Sequence, residues 1–166
     1  MPEITLILHN IRSTYNVGAI FRTAEGFGVS RLILSGYTPY PTIDNDSRLP
    51  HIRDKLTNQI HKTALGAETI VPFEYQETPD LDGLKATGFR LIALEQDPNS
   101  ILLSDFHPPK KIALILGEEV HGVEQTFLDK CTDIIEIPMQ GKKESFNVSV
   151  AAGIALYGLG YSAPSA

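Results

Sequence analysis

The strongest constraint on this chain is that short apolar runs alternate with stretches long enough to cross back over a sheet. Ile4-Thr-Leu-Ile-Leu8 and Arg31-Leu-Ile-Leu-Ser35 have strand length and strand composition. Between them Val17, Ile20, Phe21 and Ala24 fall at spacings of three and four, the apolar stripe of a helix over Asn16 to Glu25. Ser13 or Thr14 is available to cap that helix, and Gly26 and Gly28 stop it. Strand, helix and strand within 35 residues make a βαβ unit, and such a unit demands a parallel sheet.

The alternation continues to the end of the chain. Helices are predicted over Asp54 to Leu65, Leu81 to Thr87, Gln125 to Cys131 and Asn147 to Tyr161, with strands over Glu68 to Phe73, Arg90 to Leu94, Lys111 to Leu116 and Asp133 to Ile137. The pattern predicts one α/β domain over residues 1–161, a mainly parallel sheet with helices on both faces, followed by a short frayed tail at 162–166. Residues 36–50 carry Gly36, Pro39, Pro41 and Pro50 and read as a long loop, of the kind that serves function or moves.

Composition narrows the chemistry. Cys131 is the single cysteine, and His9, His51, His61, His107 and His121 show no metal-ligand pairing, so neither a disulfide framework nor a metal is expected. With no leader or spanning segment in the sequence, a soluble cytoplasmic protein is expected. The net charge of −6 argues against indiscriminate grip on nucleic acid. Locally, Arg48 to Lys55 is basic, and Lys110-Lys111 and Lys142-Lys143 add paired charges that, each taken alone, read as a solvated loop face.

Parallel sheets bind ligands beyond the carboxyl ends of their strands, which directs attention to the loops after residues 94, 116 and 137. Gly117-Glu-Glu-Val-His-Gly122 permits close backbone approach to a ligand, though alone it also reads as an ordinary strand-to-helix turn. It has neither dinucleotide nor P-loop glycine spacing. Ser145, Asn147 and Ser149 open a helix that is apolar nearly all round, and any of them serves as a cap. That helix must be buried, in the core or against a second subunit, and its Tyr157 and Tyr161 read as packing residues rather than a base-stacking platform. Arg22 is read as lying beside the apolar stripe of the first helix, where it either binds an anion or pairs with a carboxylate such as Glu25; Asn16 reads as a cap.

Three of these segments together are more specific than any one. Asn16-Val-Gly-Ala-Ile-Phe-Arg22-Thr-Ala-Glu-Gly-Phe-Gly28, Leu114-Ile-Leu-Gly117-Glu-Glu119-Val-His-Gly122-Val, and Ile137-Pro-Met139 with Ser145-Phe-Asn147-Val-Ser149-Val-Ala-Ala-Gly resemble, in order and spacing, the three motifs of SpoU/TrmH-type RNA ribose methyltransferases of the SPOUT class. The resemblance implies a C-terminal deep trefoil knot, which periodicity does not show, and a homodimer with each active site at the subunit interface. It implies S-adenosylmethionine bound by Leu94, Glu95, Leu116, Gly117, Ile137, Met139, Ser145, Phe146 and Val148, and transfer of its methyl group to a ribose 2′-hydroxyl of tRNA or rRNA. Arg22, Asn16, Glu119, Ser145 and Asn147 match the family's catalytic positions. Glu118 departs from the pattern, since many relatives carry Asn or Ser there.

Keeping any guanidinium neutral at pH 7 costs about 7–9 kcal/mol, so Arg22 is expected to anchor phosphate and favour alkoxide character rather than act as a general base. The RNA is expected to approach over the 36–50 loop and the 48–55 segment, and the absence of an appended RNA-binding domain in this sequence points to a compact target or to recognition by the dimer surface itself. The rival readings are a non-catalytic RNA-binding or assembly protein on the same fold, and an enzyme using a nucleotide cofactor such as NAD, which the missing glycine spacing disfavours.

Overall fold

Among the described residues seven strands form one sheet: β1 (Glu3–His9), β2 (Arg31–Ser35), β3 (Phe73–Gln76), β4 (Arg90–Leu94), β5 (Ile101–Leu102), β6 (Lys111–Leu116) and β7 (Asp133–Glu136), in the spatial order β3-β2-β1-β6-β4-β7-β5. The computed structural model describes residues 1–161, so the tail read at 162–166 lies outside the described residues. Every strand pairing is parallel, which makes the sheet more uniform than the mainly parallel one expected.

Both faces of the sheet are covered, which is why its strands are apolar at consecutive positions instead of alternating with polar residues. Leu6, Leu8, Leu32, Leu34, Leu114 and Leu116 point to one face, beneath α1 (Thr14–Gly26), α2 (Pro50–Ala64) and α5 (Val148–Tyr161). Ile7, Ile33, Leu91, Ala113 and Ile115 point to the other, beneath α3 (Leu81–Ala86) and α4 (Gln125–Leu128). Gly18 lets α1 and α2 meet: a Cβ there would lie 2.2 Å from both Ile60 O and Thr63 Oγ1. A glycine of the first motif is thus a packing residue.

Two elements differ from the sequence reading. Helix α2 begins at Pro50, not Asp54, because proline is well suited to the first helical position, where its missing N–H is not needed. The strand expected at Glu68 to Phe73 is instead a 3₁₀ turn over Ala67–Thr69 followed by β3. Glu68 is buried there, accepting from the Gly66 N–H at 2.9 Å and contacting His61 Nδ1 at 2.5 Å, which holds the turn against the strand propensity of its neighbours. The two-residue β5 has no signal in the sequence pattern.

Strand β7, late in the chain, inserts between β4 and β5. This places the segment after β7 against the loop after β4, where Gln96 Nε2 donates to Glu144 O at 2.8 Å. Among the described residues no helix is long and apolar enough to cross a membrane.

Candidate active site

The carboxyl ends of β4, β6 and β7 open into one cleft of about 250 Å³. Its walls combine apolar groups, Leu94, Leu116, Ile137, Phe146, Val148 and Ala151, with the carboxylates of Glu118 and Glu119. Of the nine residues expected to hold a cofactor, eight line it: Leu94, Glu95, Leu116, Gly117, Ile137, Ser145, Phe146 and Val148. Met139 does not, being half-buried one turn of chain beyond the strand end. An apolar slot with carboxylates beside it suits a flat heterocycle carrying a cationic tail.

The loop after β6 is rigid by construction. The Glu118 N–H donates to Gly122 O at 3.0 Å and the Gly122 N–H donates back to Glu118 O at 2.7 Å, closing the turn on itself. Glu95 clamps it from β4, its Oε2 accepting from the Val123 N–H at 2.9 Å and its Oε1 from the Gln96 N–H at 2.8 Å. The Glu95 side chain is therefore committed to structure, and what it offers a ligand is its backbone. The end of β1 is fixed as well: the Thr38 hydroxyl donates to Leu8 O at 2.9 Å and accepts from the Ile11 N–H at 3.0 Å. Buried His9 bridges Ser35 Oγ at 2.9 Å and Glu124 Oε1 at 3.1 Å.

These supports bring the second and third motifs to the first. Asn16 Nδ2 donates to Glu119 Oε1 at 3.2 Å, and Asn147 Nδ2 donates to Asn16 Oδ1 at 3.2 Å. Asn147 Oδ1 in turn accepts from both the N–H and the hydroxyl of Ser149, at 2.9 and 2.6 Å. Glu119 lines the cleft, so the network runs from the cleft wall to the start of α5. Asn16 is not the helix cap: Ser13 is, its hydroxyl oxygen accepting from the Asn16 N–H at 3.2 Å, which frees the Asn16 amide for the site. Ser145 lines the cleft, exposed.

Arg22 stands apart. It is exposed, and among the described residues it makes no hydrogen bond or ion pair, Glu25 included. Six helical residues separate it from Asn16, about 9 Å along the axis and about 240° around it. That places it with Tyr15 on the solvent face of α1, opposite the stripe beside which the sequence reading set it. A single copy of the chain does not bring Arg22 into the network.

Arg12 and Ser149 join the site without having been singled out for it. The Arg12 N–H donates to Glu119 Oε2 at 3.3 Å, and its Nη2 lies 3.2 Å from Glu118 Oε1. Glu118 is buried, with Oε2 accepting from the His121 N–H at 2.7 Å and meeting His121 Nδ1 at 2.5 Å, whereas Oε1 has no aligned hydrogen bond and meets only the Arg12 charge. Burial raises the Glu118 pKa, but the His121 groups and Arg12 outweigh it and hold this carboxyl below its usual range. It stays ionised. Burial pushes the Cys131 thiol up to about 11, so it is a protonated thiol at neutral pH and no nucleophile. Among the described residues no group of three or more His, Cys, Asp or Glu could hold a metal ion.

A wholly parallel sheet with a cleft at its carboxyl edge, walled by the second and third motif segments and tied to the first through Glu119 and Asn16, defines an α/β ligand-binding domain. The chain belongs to the SpoU rRNA Methylase family, which it matches over residues 3–157. It is 29% identical over 163 residues to the 23S rRNA (guanosine-2′-O-)-methyltransferase RlmB of Coxiella burnetii, covering 94% of this chain and 57% of that protein. It is 30% identical over 158 residues to the RlmB of Nitrosomonas europaea, covering 94% and 55%. The chain therefore spans little more than half the length of these curated relatives. Its fold matches the AdoMet-bound rRNA methyltransferase of Sinorhizobium meliloti with a TM-score of 0.80 at 23% identity, covering 98% of this chain and 57% of that one. The A. aeolicus TrmH/SpoU tRNA modifying enzyme matches with a TM-score of 0.79 at 24% identity, covering 98% and 76%.

Proposed function

We propose that this chain is an S-adenosylmethionine-dependent methyltransferase acting on a ribose 2′-hydroxyl of tRNA or rRNA, working in the cytoplasm as a homodimer in which a second copy supplies Arg22. The observation that carries the reading is the Glu119–Asn16–Asn147–Ser149 network, which ties all three motif segments to the wall of one cleft. When bound, S-adenosylmethionine supplies an electrophilic methyl group on a sulfonium. Leu94, Leu116, Ile137, Phe146 and Val148 would take the adenine, and the carboxylates of Glu118 and Glu119 would offset the positive charge beside it. Asn16 and Asn147, each fixed by its neighbour, orient the acceptor ribose. A guanidinium from the second copy anchors the adjacent phosphate and favours alkoxide character at the 2′-oxygen, whose proton leaves to water or to RNA phosphate. The knot belongs to this proposal too, supported by the late strand β7 lying between β4 and β5.

Incubating the protein with labelled cofactor and separated RNA pools, then mapping the modified nucleotide, tests the reading directly. We expect a 2′-O-methyl group in one pool, and Arg22→Ala should abolish its formation while changing cofactor affinity less than twofold. Retained turnover in that variant would remove Arg22 from the chemistry. Cofactor binding without methyl transfer to any pool would favour the non-catalytic RNA-binding reading.

Helix α5 supports the dimer. Its buried side, Ala152, Ala155, Leu156 and Leu159, faces the core, yet Val150, Ile154, Tyr157 and Tyr161 remain exposed at helical spacing on the other. The two tyrosines stack on each other, ring centroids 5.2 Å apart, and are 62% and 61% exposed, so they do not pack into this chain's core. Ile154→Glu should convert the dimer to monomer at micromolar concentration in sedimentation analysis. A dimer of unchanged stability would exclude this face.

A further inference from the structure

A second cleft, of about 580 Å³, lies between the start of α1 and the 36–50 loop, with Arg12 in its lining. The 36–50 loop, over which the RNA is expected to approach, contributes to its lining, but no step of the methyl transfer uses it. Its contents are unusual for a surface hollow: Arg12, Tyr37, Tyr40, Tyr75 and Arg48 with Ser13 and Thr14.

Much of that inventory is already spent. Arg48 donates to Asp46 through Nε at 2.9 Å and to Tyr40 O through Nη1 at 2.9 Å, and its guanidinium lies 3.6 Å from the Tyr40 ring centroid. The other face of Tyr40 stacks on Tyr75 at 4.2 Å. Arg53 is drawn toward Asp54 at 3.8 Å. The basic 48–55 segment thus offers RNA less free charge than its sequence implies, and serves to hold the loop.

What remains available is Tyr37 and Arg12. Tyr37 is 53% exposed, and the Arg12 side chain, 64% exposed, carries its guanidinium 6.0 Å from the Tyr37 ring centroid, where it pairs with Glu118 through Nη2 and interacts with the Tyr37 side chain. The backbone at Tyr37 is fixed, its N–H donating to Asn10 Oδ1 at 3.1 Å. Beside them α1 begins with no acidic residue in its first turn, and the N–H groups of Thr14 and Tyr15 have no intrahelical acceptor. An aromatic face, a guanidinium and open N–H groups are what one unpaired nucleotide requires: a stacking surface for the base and cationic donors for the phosphate.

Arg12 also connects this hollow to the reaction site. Its N–H holds Glu119, which holds Asn16, so a nucleotide clamped by Arg12 lies one side chain away from the network that orients the acceptor ribose. We propose that the Arg12–Tyr37 cleft is a subsite for a single-stranded nucleotide flanking the methylated one, its base on Tyr37 and its phosphate on Arg12. The inference rests on the reading of the chain as one that acts on RNA.

Titration of the full protein against a fluorescein-labelled, mixed-sequence single-stranded RNA of about a dozen nucleotides tests it. Tyr37→Ala should weaken binding roughly tenfold, and Tyr37→Phe, which keeps the ring, should restore it. Arg12→Gln should weaken binding and lower the slope of log affinity against log salt by about one. Cofactor affinity and melting temperature should stay at wild-type values in the Tyr37 variants, separating a lost contact from a lost fold. Wild-type binding in both Tyr37→Ala and Arg12→Gln, or no binding by the unaltered protein, overturns the subsite. Tyr37-dependent binding without methyl transfer to any RNA would instead sink the methyltransferase reading and leave only a cleft for a single-stranded nucleotide, with no methylated neighbour.

Discussion

Mixing two inactive variants, Arg22→Ala and Asn147→Ala, and letting their subunits exchange should restore about a quarter of wild-type methyl transfer, the fraction set by random assortment into dimers. The expectation follows from where Arg22 stands. It lies on the solvent face of α1 without a partner among the described residues, while Asn147 belongs to the network that begins at the cleft wall. If Arg22 of one copy serves the site of the other, a mixed dimer holds one site with an intact Asn147 and an intact Arg22 donated across the interface. Its second site lacks both. Half of the dimers are mixed and half of their sites work.

Measuring initial rates before and after exchange, with each variant alone as control, checks the result. Each variant alone should fall by at least about a hundredfold, the usual cost of removing a group that stabilises or positions the transition state. Recovery near a quarter can arise only if Arg22 acts between copies. No recovery, with dimer exchange verified by a tagged subunit, would mean that the guanidinium acts within its own chain or not at all.

The sheet and its ligand edge were legible because they depend on patterns carried by neighbouring residues. Strand-length apolar runs at Ile4–Leu8 and Lys111–Leu116 and the helical spacing of Val17, Ile20, Phe21 and Ala24 are local, and burial on both sheet faces leaves few other arrangements for them. What was not legible depends on contacts between distant segments. Asn16 reads as a cap until Ser13 is seen to take that task, and Ser149 reads as a cap until its hydroxyl is found on Asn147. Arg48 and Arg53 look like free charge because sequence does not show that Asp46, Tyr40 and Asp54 absorb them. Arg22 was misplaced for a different reason. Adjacency to the fully buried Phe21 suggested the stripe edge, but at about 100° per residue the step past Phe21 carries position 22 off the stripe of Val17, Ile20, Phe21 and Ala24 and onto the face of Tyr15.

Gly117→Ala should cost the protein its cofactor while leaving its fold. A Cβ at 117 would stand 2.3 Å from both the carbonyl carbon and oxygen of Gly122 and 2.4 Å from Val123 N, all main-chain atoms that no rotamer change can move aside. The loop cannot yield easily, since the reciprocal Glu118 and Gly122 hydrogen bonds close it and Glu95 clamps Val123. Relief requires a shift approaching 1 Å in the backbone that presents Glu118 and Glu119 to the cleft. Overpacking of this kind costs about 1–3 kcal/mol, less than the stability of a typical domain, so the variant should fold with a melting temperature a few degrees lower. Cofactor affinity measured by calorimetry should drop at least about tenfold, and turnover by a further factor of about a hundred as Glu119 loses its hold on Asn16. Gly141→Ala is the control, because a Cβ there meets nothing within 4 Å, and it should bind cofactor as the unaltered chain does. If Gly117→Ala bound cofactor with wild-type affinity, the loop after β6 would not be the part of the cleft that holds it.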